Sequence, residues 1–362
     1  MINTSSLTLI DLSLGEIIGG PSEQLKKFTS TKVLEDWQGY TNPYGIYELR
    51  KVLSQHFQPL YKKELKVSQV LVTAGASMGL SSFYHLFSNQ RLLIPNVCFP
   101  LYRKTAKQYG IQLIEYYVGP HKDWEQTLYQ IEKEFINGVK AIIWNNPNNP
   151  FGYIAPNYVV EKMCELCEKY KVLCVSDEVY RNFTGDTNVT SPSELIPNQT
   201  IFIYSLSKSY GIAGIRIGCV IAHPKIIENL RETHWNLGMS TSWIGQEIAK
   251  YAIEYLNDYP EKLSKKIINR LNSAARFFSD KNIPFYSPDG GIYVCIDTKE
   301  LGIDAVKFTD IARQKMNLQL MPGIAFGNAS SHVVRLNAGV EDDKFFEALH
   351  RIEYIYSNLN NL

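Results

Sequence analysis

The chain is short of several things that would mark other classes of protein. It has no excess of either charge: 37 Lys and Arg stand against 36 Asp and Glu, a formal charge of +1. Composition therefore gives no drive towards nucleic acid or an anionic membrane. No apolar run approaches the ~18 residues a spanning helix needs, and Met1 to Gly20 lacks a basic start followed by a long apolar stretch. A soluble, cytoplasmic protein with no nucleic acid and no membrane among its partners is expected. Cysteine is sparse, six in all, and only Cys164-Glu165-Leu166-Cys167 has the spacing of a metal or redox pair. No second pair completes a zinc site, and the stretch has a helical pattern. The two read as thiols on neighbouring helix positions, with neither metal nor structural disulfide expected. Internal repeats, low-complexity tracts and disordered linkers are also missing.

What is present fits a two-domain enzyme. At 362 residues with 12% aromatics, the chain can bury a large core around a ligand. Short β-branched runs at 69–73, 91–95, 112–117, 141–144, 172–176, 201–205 and 215–222 alternate with amphipathic stretches such as 76–87 and 157–170. That alternation predicts an α/β unit whose mostly parallel central sheet is covered by helices. Past about 240 a long helical region runs to 280, followed by a strand at 291–296, a helix at 305–316, a strand at 333–337 and a C-terminal helix. This part reads as a smaller α+β domain. The expected division is 1–38 as an N-terminal segment packing with the small domain, 39–245 as the large α/β domain, and 246–362 as the small one.

Chemistry concentrates at Ser205-Leu206-Ser207-Lys208-Ser209-Tyr210-Gly211, followed by Ala213-Gly214-Ile215-Arg216-Ile217-Gly218. A strand ends at Ser205 and the chain enters a Gly-spaced turn, so two hydroxyls, an amine and a guanidinium can converge at a strand's carboxyl end. These groups suit a phosphate beside an aldehyde. Taken alone, Lys208 would be a solvated lysine; the constellation around it reverses that reading. The stretch resembles the class I/II aminotransferases of pyridoxal-5′-phosphate (PLP) fold type I, whose hallmark is Ser-x-Ser-Lys with an Arg eight positions after the Lys, where Arg216 stands. The resemblance implies that Lys208 carries PLP as a Schiff base and that Ser205, Ser207 and Arg216 hold its phosphate.

Four other segments extend the likeness. Asp177-Glu178-Val179-Tyr180 follows an apolar run. A buried carboxylate there could keep a pyridine nitrogen protonated, and the family pattern gives Asp177 that role and Tyr180 the ring's 3′ oxygen. Asn145-Asn146-Pro147-Asn148-Asn149-Pro150-Phe151-Gly152 has turn chemistry in any protein. It is similar to the family's Asn-Pro-x-Asn-Pro-Thr/Ser-Gly, which implies that Asn149 donates to the same oxygen, with Phe151 replacing the usual hydroxyl. Thr73-Ala74-Gly75-Ala76-Ser77 lies between a strand and a helix, where free amides bind phosphate, so Gly75, Ala76 and Ser77 form the expected phosphate cup. Pro95-Asn96-Val97-Cys98-Phe99-Pro100-Leu101-Tyr102 resembles Pro-x-Tyr-Pro-x-Tyr and places Phe99 on the ring face.

Four outlying segments concern substrate and assembly. Tyr40, in a stretch similar to Tyr-x-x-x-x-Gly-x-x-x-Leu-Arg, implies a homodimer in which it reaches the partner's cofactor phosphate. Arg335, in Val334-Arg335-Leu336-Asn337, resembles the arginine that grips the substrate α-carboxylate with its planar fork. Gly15, in Leu14-Gly15-Glu16, matches the N-terminal substrate-side loop, and Met321-Pro322-Gly323-Ile324-Ala325-Phe326-Gly327 resembles Pro-Gly-x-x-Phe-Gly. Ile17, Ile18 and Phe151 are the expected apolar pocket neighbours, pointing to neutral or aromatic amino acids. Lys208, Asp177 and Tyr180 are the expected catalytic residues, with Asn149 also touching substrate.

The expected reaction moves an amino group from an L-amino acid to a 2-oxo acid. A PLP decarboxylase, eliminase or cyclase uses the same cradle, and sequence does not choose which Cα bond breaks. Asn148-Asn149-Pro150 with Gly211 to Arg216 is also similar to histidinol-phosphate aminotransferases. A PLP-binding regulator of DNA is disfavoured, since no helix-turn-helix extension or basic patch precedes residue 40.

Overall fold

In the computed structural model, which describes residues 7–18, 20–35, 38–119 and 122–359, the Val- and Ile-rich runs become strands buried on both faces. The N-terminal part gives β1 (Ile10–Asp11), α1 (Glu23–Glu35) and α2 (Tyr47–Phe57), then β2 (Val70–Thr73), α3 (Gly75–Leu86), β3 (Arg91–Pro95), α4 (Pro100–Gln108) and β4 (Gln112–Tyr116). Next come α5 (Trp124–Ile136), β5 (Ala141–Asn145), α6 (Asn157–Tyr170), β6 (Leu173–Asp177), α7 (Pro192–Leu195), β7 (Thr200–Ser205), α8 (Leu206–Ser209) and β8 (Gly218–Ile221). The sheet order is β2-β8-β7-β6-β5-β3-β4. Strands β4, β3, β5, β6 and β7 run parallel, whereas β8 is antiparallel to both its neighbours.

Successive strand residues face opposite sides, and the two faces are sealed by different helices. Val175 and Ile203 pack with Phe83 of α3 and Tyr102 of α4. Their neighbours point the other way, Cys174 towards Val160 of α6 and Tyr204 towards Phe57 of α2. Burial on both sides explains why these strands read as continuous apolar runs rather than as alternating ones.

The chain continues through α9 (Pro224–Gly238), α10 (Trp243–Tyr255), α11 (Tyr259–Asp280), β9 (Phe285–Tyr286), β10 (Tyr293–Asp297), α12 (Ala305–Met316), β11 (Leu318–Gln319), β12 (Met321–Pro322), β13 (Val333–Asn337) and α13 (Asp342–Asn358). A four-stranded antiparallel sheet, β12-β13-β10-β9, forms beside a two-stranded parallel pair, β1-β11. Ile10, Leu12 and Ile17 from the N-terminus join Phe278, Phe308 and Phe345 in the core of this second unit. The N-terminal segment divides, however: Leu25 of α1 packs instead with α10 against the large sheet. Position 245 falls inside α10, whose buried Ile248, Ala249 and Ala252 also face that sheet.

Two expected elements change. The helical region at 240–280 is two helices, because α10 ends at Tyr255 and Pro260, lacking an N–H, sits in the first turn of α11. The strand expected at 215–222 starts only at Gly218. Ala213–Ile215 is a 3-10 turn and Arg216 takes a left-handed backbone, φ +55°, which no strand accommodates. Cys164 and Cys167 lie on α6, as the helical pattern of that stretch predicts, and both are buried. No helix among the described residues is long and apolar enough to cross a membrane.

Candidate active site

Three parallel strands each end on a polar residue at the same edge: Asn145 on β5, Asp177 on β6 and Ser205 on β7. Ligands in doubly wound sheets bind at such carboxyl ends. Here a cavity of about 300 Å³ opens between that edge and the small sheet, bringing Tyr293 of β10, Met321 of β12 and Arg335 of β13 to its far wall.

The side of the cavity at the start of α3 is built from backbone as much as from side chains. Helix α3 begins at Gly75, whose φ of +75° favours glycine, and Ala76 and Ser77 follow in its first turn, lining the cavity. A β-carbon on Gly75 would stand 2.6 Å from Nη2 of Arg216. The missing side chain is what lets the guanidinium lie over the helix start. Arg216 is exposed on the cavity side, and its Nη1 donates to Ala213 O at 2.9 Å. Ser205 caps α8, accepting from the Ser207 amide at 3.2 Å, and its hydroxyl donates to Ser207 Oγ at 2.9 Å. Two hydroxyls, a helix N-terminus and a guanidinium thus share one end of the cavity.

Lys208 projects from α8 across the cavity, and its Nζ donates to the carbonyl of Gly15. Asp177 lies at the cavity floor. Burial pushes its carboxyl up to about 6, against hydrogen bonds from the Tyr102 phenol and the Val179 amide that pull it down. The bond from Tyr102 to Oδ2 is 2.5 Å. Asn145 fastens the neighbouring loop, donating through Nδ2 to Asp177 O at 2.9 Å and accepting the Asn149 amide at 2.8 Å.

At the opposite wall Arg335 is 4% exposed. Its Nη1 donates to Asn149 Oδ1 at 3.0 Å and its Nη2 to Ser13 O at 2.5 Å, leaving Nε without a partner among the described residues. The guanidinium is sandwiched between rings, 4.1 Å from the centroid of Tyr293 and 4.8 Å from that of Phe326. Among the described residues no group of three or more His, Cys, Asp or Glu is placed to hold a metal ion.

Gly15, Ala76, Ser77, Phe99, Asn149, Asp177, Tyr180, Ser205, Ser207, Lys208, Arg216 and Arg335 all line the cavity, and Gly75 stands directly behind Arg216. Tyr40 does not join them: it is 80% exposed and away from the cavity of its own chain. The expected apolar neighbours are corrected. Phe151 is fully buried and stacks on Tyr153, Ile17 belongs to the small-sheet core, and Ile18 is turned outward where its amide donates to Gly339 O. The backbone of Gly15 faces the cavity, and the chain then turns to pack along the small sheet, so the wall is formed by Leu14, Phe99, Tyr293, Met321 and Phe326 instead. Sequence reasoning gave no role to Tyr102, Asn145 or Tyr293. Tyr102 and Asn145 lie inside quoted motifs, whereas nothing local marks Tyr293 in a strand of similar apolar residues.

Residues 8–352 match the model of the family described as aminotransferase class I and II. The aspartate aminotransferase of Pyrococcus horikoshii is 25% identical over 361 residues, covering 95% of this chain and 90% of its own. The aromatic-amino-acid aminotransferase 2 of Thermococcus litoralis is 24% identical, covering 96% and 91%. In structure, the aspartate aminotransferase of Thermotoga maritima superposes with a TM-score of 0.90 at 24% identity, covering 97% of this chain and 92% of that one. The α/β arrangement is accordingly PLP fold type I, and with a match that spans nearly the whole length and both sheets, this chain belongs to the class I and II aminotransferases.

Proposed function

We propose that the cavity holds PLP through Lys208 and that the enzyme moves an amino group from a neutral or aromatic L-amino acid to a 2-oxo acid. The observation that carries this reading is the order of groups along one cavity: an anion cradle at one end, Lys208 in the middle, and a buried arginine fork at the other. The residues fit the cofactor. Arg216, Ser205, Ser207 and the amides at the start of α3 would take its phosphate, and the empty side of Gly75 leaves room for the Arg216 guanidinium beside them. Asp177 would hold the proton of the pyridine nitrogen, Phe99 would cover the ring face, and Tyr180 and Asn149 would contact its 3′ oxygen.

When bound, PLP supplies an aldehyde that condenses with amines and a ring that withdraws electrons. The chain supplies the rest. Lys208, whose Nζ lies within reach of the Gly15 carbonyl, would take the proton from the substrate's Cα and return it elsewhere as general base and acid. Arg335 would bind the α-carboxylate; it is already oriented by Asn149 and Ser13 and shielded from water by two rings. A carboxylate held in this way is retained, which favours amino transfer over loss of carbon dioxide.

Side-chain preference rests on the wall. Leu14, Phe99, Met321 and Phe326 are apolar, and each cationic side chain lining the cavity among the described residues, Lys208, Arg216 and Arg335, already has a role. The exposed ring of Tyr40 is consistent with a homodimer in which it reaches a partner's cofactor phosphate. Six free, buried thiols suit a reducing, cytoplasmic setting.

The test is borohydride reduction of one PLP-loaded sample with peptide mapping, and single turnover of an unreduced sample with a panel of amino acids and, separately, with histidinol phosphate. The expected adduct is on Lys208, and one keto acid and one pyridoxamine phosphate form per site. An adduct on another lysine, or carbon dioxide or elimination products without pyridoxamine phosphate, overturns the reading. Sedimentation showing a fully active monomer overturns the dimer.

A further inference from the structure

Tyr293 touches both ends of the site. Its hydroxyl is 2.8 Å from that of Tyr180, with the rings edge to face at 5.6 Å, while its ring carries the Arg335 guanidinium at 4.1 Å. It is 1% exposed and sits on β10, two residues from the register pair of Cys295 with Arg335. Gly15 completes the fit, because a β-carbon there would lie 1.9 Å from the Tyr293 hydroxyl. The groove that admits this phenol is therefore formed by the absence of a side chain.

Either hydroxyl can donate in this contact, and the two directions leave Tyr180 with different hydrogens to offer. A tyrosine has one hydroxyl hydrogen to donate. If Tyr180 spends its hydrogen on Tyr293, none is left for a ligand in the cavity; if Tyr293 donates instead, the Tyr180 hydrogen is free to point inward. Among the described residues Tyr180 is the only hydrogen-bond partner of the Tyr293 hydroxyl, so no other described group competes for that hydrogen. The charged and titratable groups around Tyr180 are Asp177 from the end of β6, Arg335 from β13 and Lys208 from α8, besides Tyr293 itself.

We propose that Tyr293 is a positioning residue that aims the Tyr180 hydroxyl at the cofactor and holds the Arg335 plane for the substrate, fixing the two ligands relative to each other. The inference rests on the PLP reading of the site. It divides one side chain into two separable parts: the hydroxyl serves the cofactor, and the ring face serves the substrate carboxylate.

Two substitutions in the PLP-loaded protein separate the parts. Tyr293→Phe keeps the face and removes the hydroxyl. A donor on the ring's 3′ oxygen stabilises its negative charge, and weakening that donor leaves the charge freer to hold a neighbouring proton. The titration midpoint of the bound cofactor's visible band should move to higher pH by about 0.5–1 unit, as expected for one hydrogen bond, with KM changed less than about threefold. Tyr293→Leu should move the midpoint similarly and also raise KM by about tenfold, since the cation–π support is worth roughly 1–2 kcal/mol. An unmoved midpoint in Tyr293→Phe overturns the proposal even if Tyr293→Leu does not fold, and equal KM values in the two variants overturn its substrate half. A wild-type protein that shows no visible band with PLP defeats the cofactor reading itself, an outcome distinct from an unmoved midpoint.

Discussion

The phenol of Tyr102 donates to Oδ2 of Asp177 at 2.5 Å, and both side chains are buried between the central sheet and α4. The bond works against burial, which alone would hold the carboxyl further above its ordinary range. Tyr102→Phe should push the Asp177 carboxyl further up, making it a weaker acid, and so weaken the hold proposed for it on a protonated ring nitrogen. A hydrogen bond to a charged group contributes about 1.5–3 kcal/mol, so PLP retention at pH 7 should fall at least about tenfold. Equilibrium dialysis against free PLP measures this, and unchanged retention would remove Tyr102 from the site.

Asp177 should cost the cofactor-free protein stability at neutral pH. Its folded-state value is raised from 3.8 to about 6. Below 3.8 the carboxyl is protonated whether folded or not, and no penalty exists. As pH rises through the window from about 4 to 6 the unfolded chain loses its proton first, and stability is lost, reaching roughly 3 kcal/mol above pH 6. Asp177→Asn carries no charge to bury. Without cofactor it should melt above wild type at pH 7.5 and level with it near pH 4, while holding PLP more weakly. Parallel melting curves at both pH values would contradict the assignment.

Arg335→Lys keeps the charge and removes the fork. Bonds to Asn149 and Ser13 come from two different nitrogens of a plane held between Tyr293 and Phe326. A lysine ammonium cannot reproduce that geometry. The kcat/KM for amino acids should fall by about 10–100-fold, mainly through KM, the range expected for losing one charge-assisted bond. Steady-state kinetics with the preferred amino acid checks it.

Gly75→Ala introduces a methyl at a backbone φ of +75° and 2.6 Å from Arg216 Nη2. The strain should cost about 1 kcal/mol of stability, but the larger effect should be displacement of Arg216 from the phosphate end. Retention of PLP should drop more than retention of pyridoxal lacking the phosphate. Equal losses for the two would place Arg216 elsewhere.

Much of this was legible in the residues themselves. Ser205, Ser207, Lys208 and Arg216 are close in sequence, so a strand end and a tight turn suffice to gather them. The strands at 91–95 and 333–337 were found with their ends in place because apolar runs bounded by turn residues define them locally. Tyr102 against Asp177, Asn149 against Arg335 and Tyr180 against Tyr293 are separated by 75, 186 and 113 positions. No local pattern specifies such partners.

The α/β alternation and the gathering of Ser205, Ser207, Lys208 and Arg216 at one strand end could be read from the residues, since each depends on near neighbours and on backbone chemistry carried by glycine, proline and serine. Which apolar residues line the cavity depends instead on the packing of elements far apart in the chain. Ile17 and Phe151 are as hydrophobic as Leu14 and Met321, and what separates them is where the small sheet docks on the large one, which buries the first pair in packed cores and leaves the second lining the cavity.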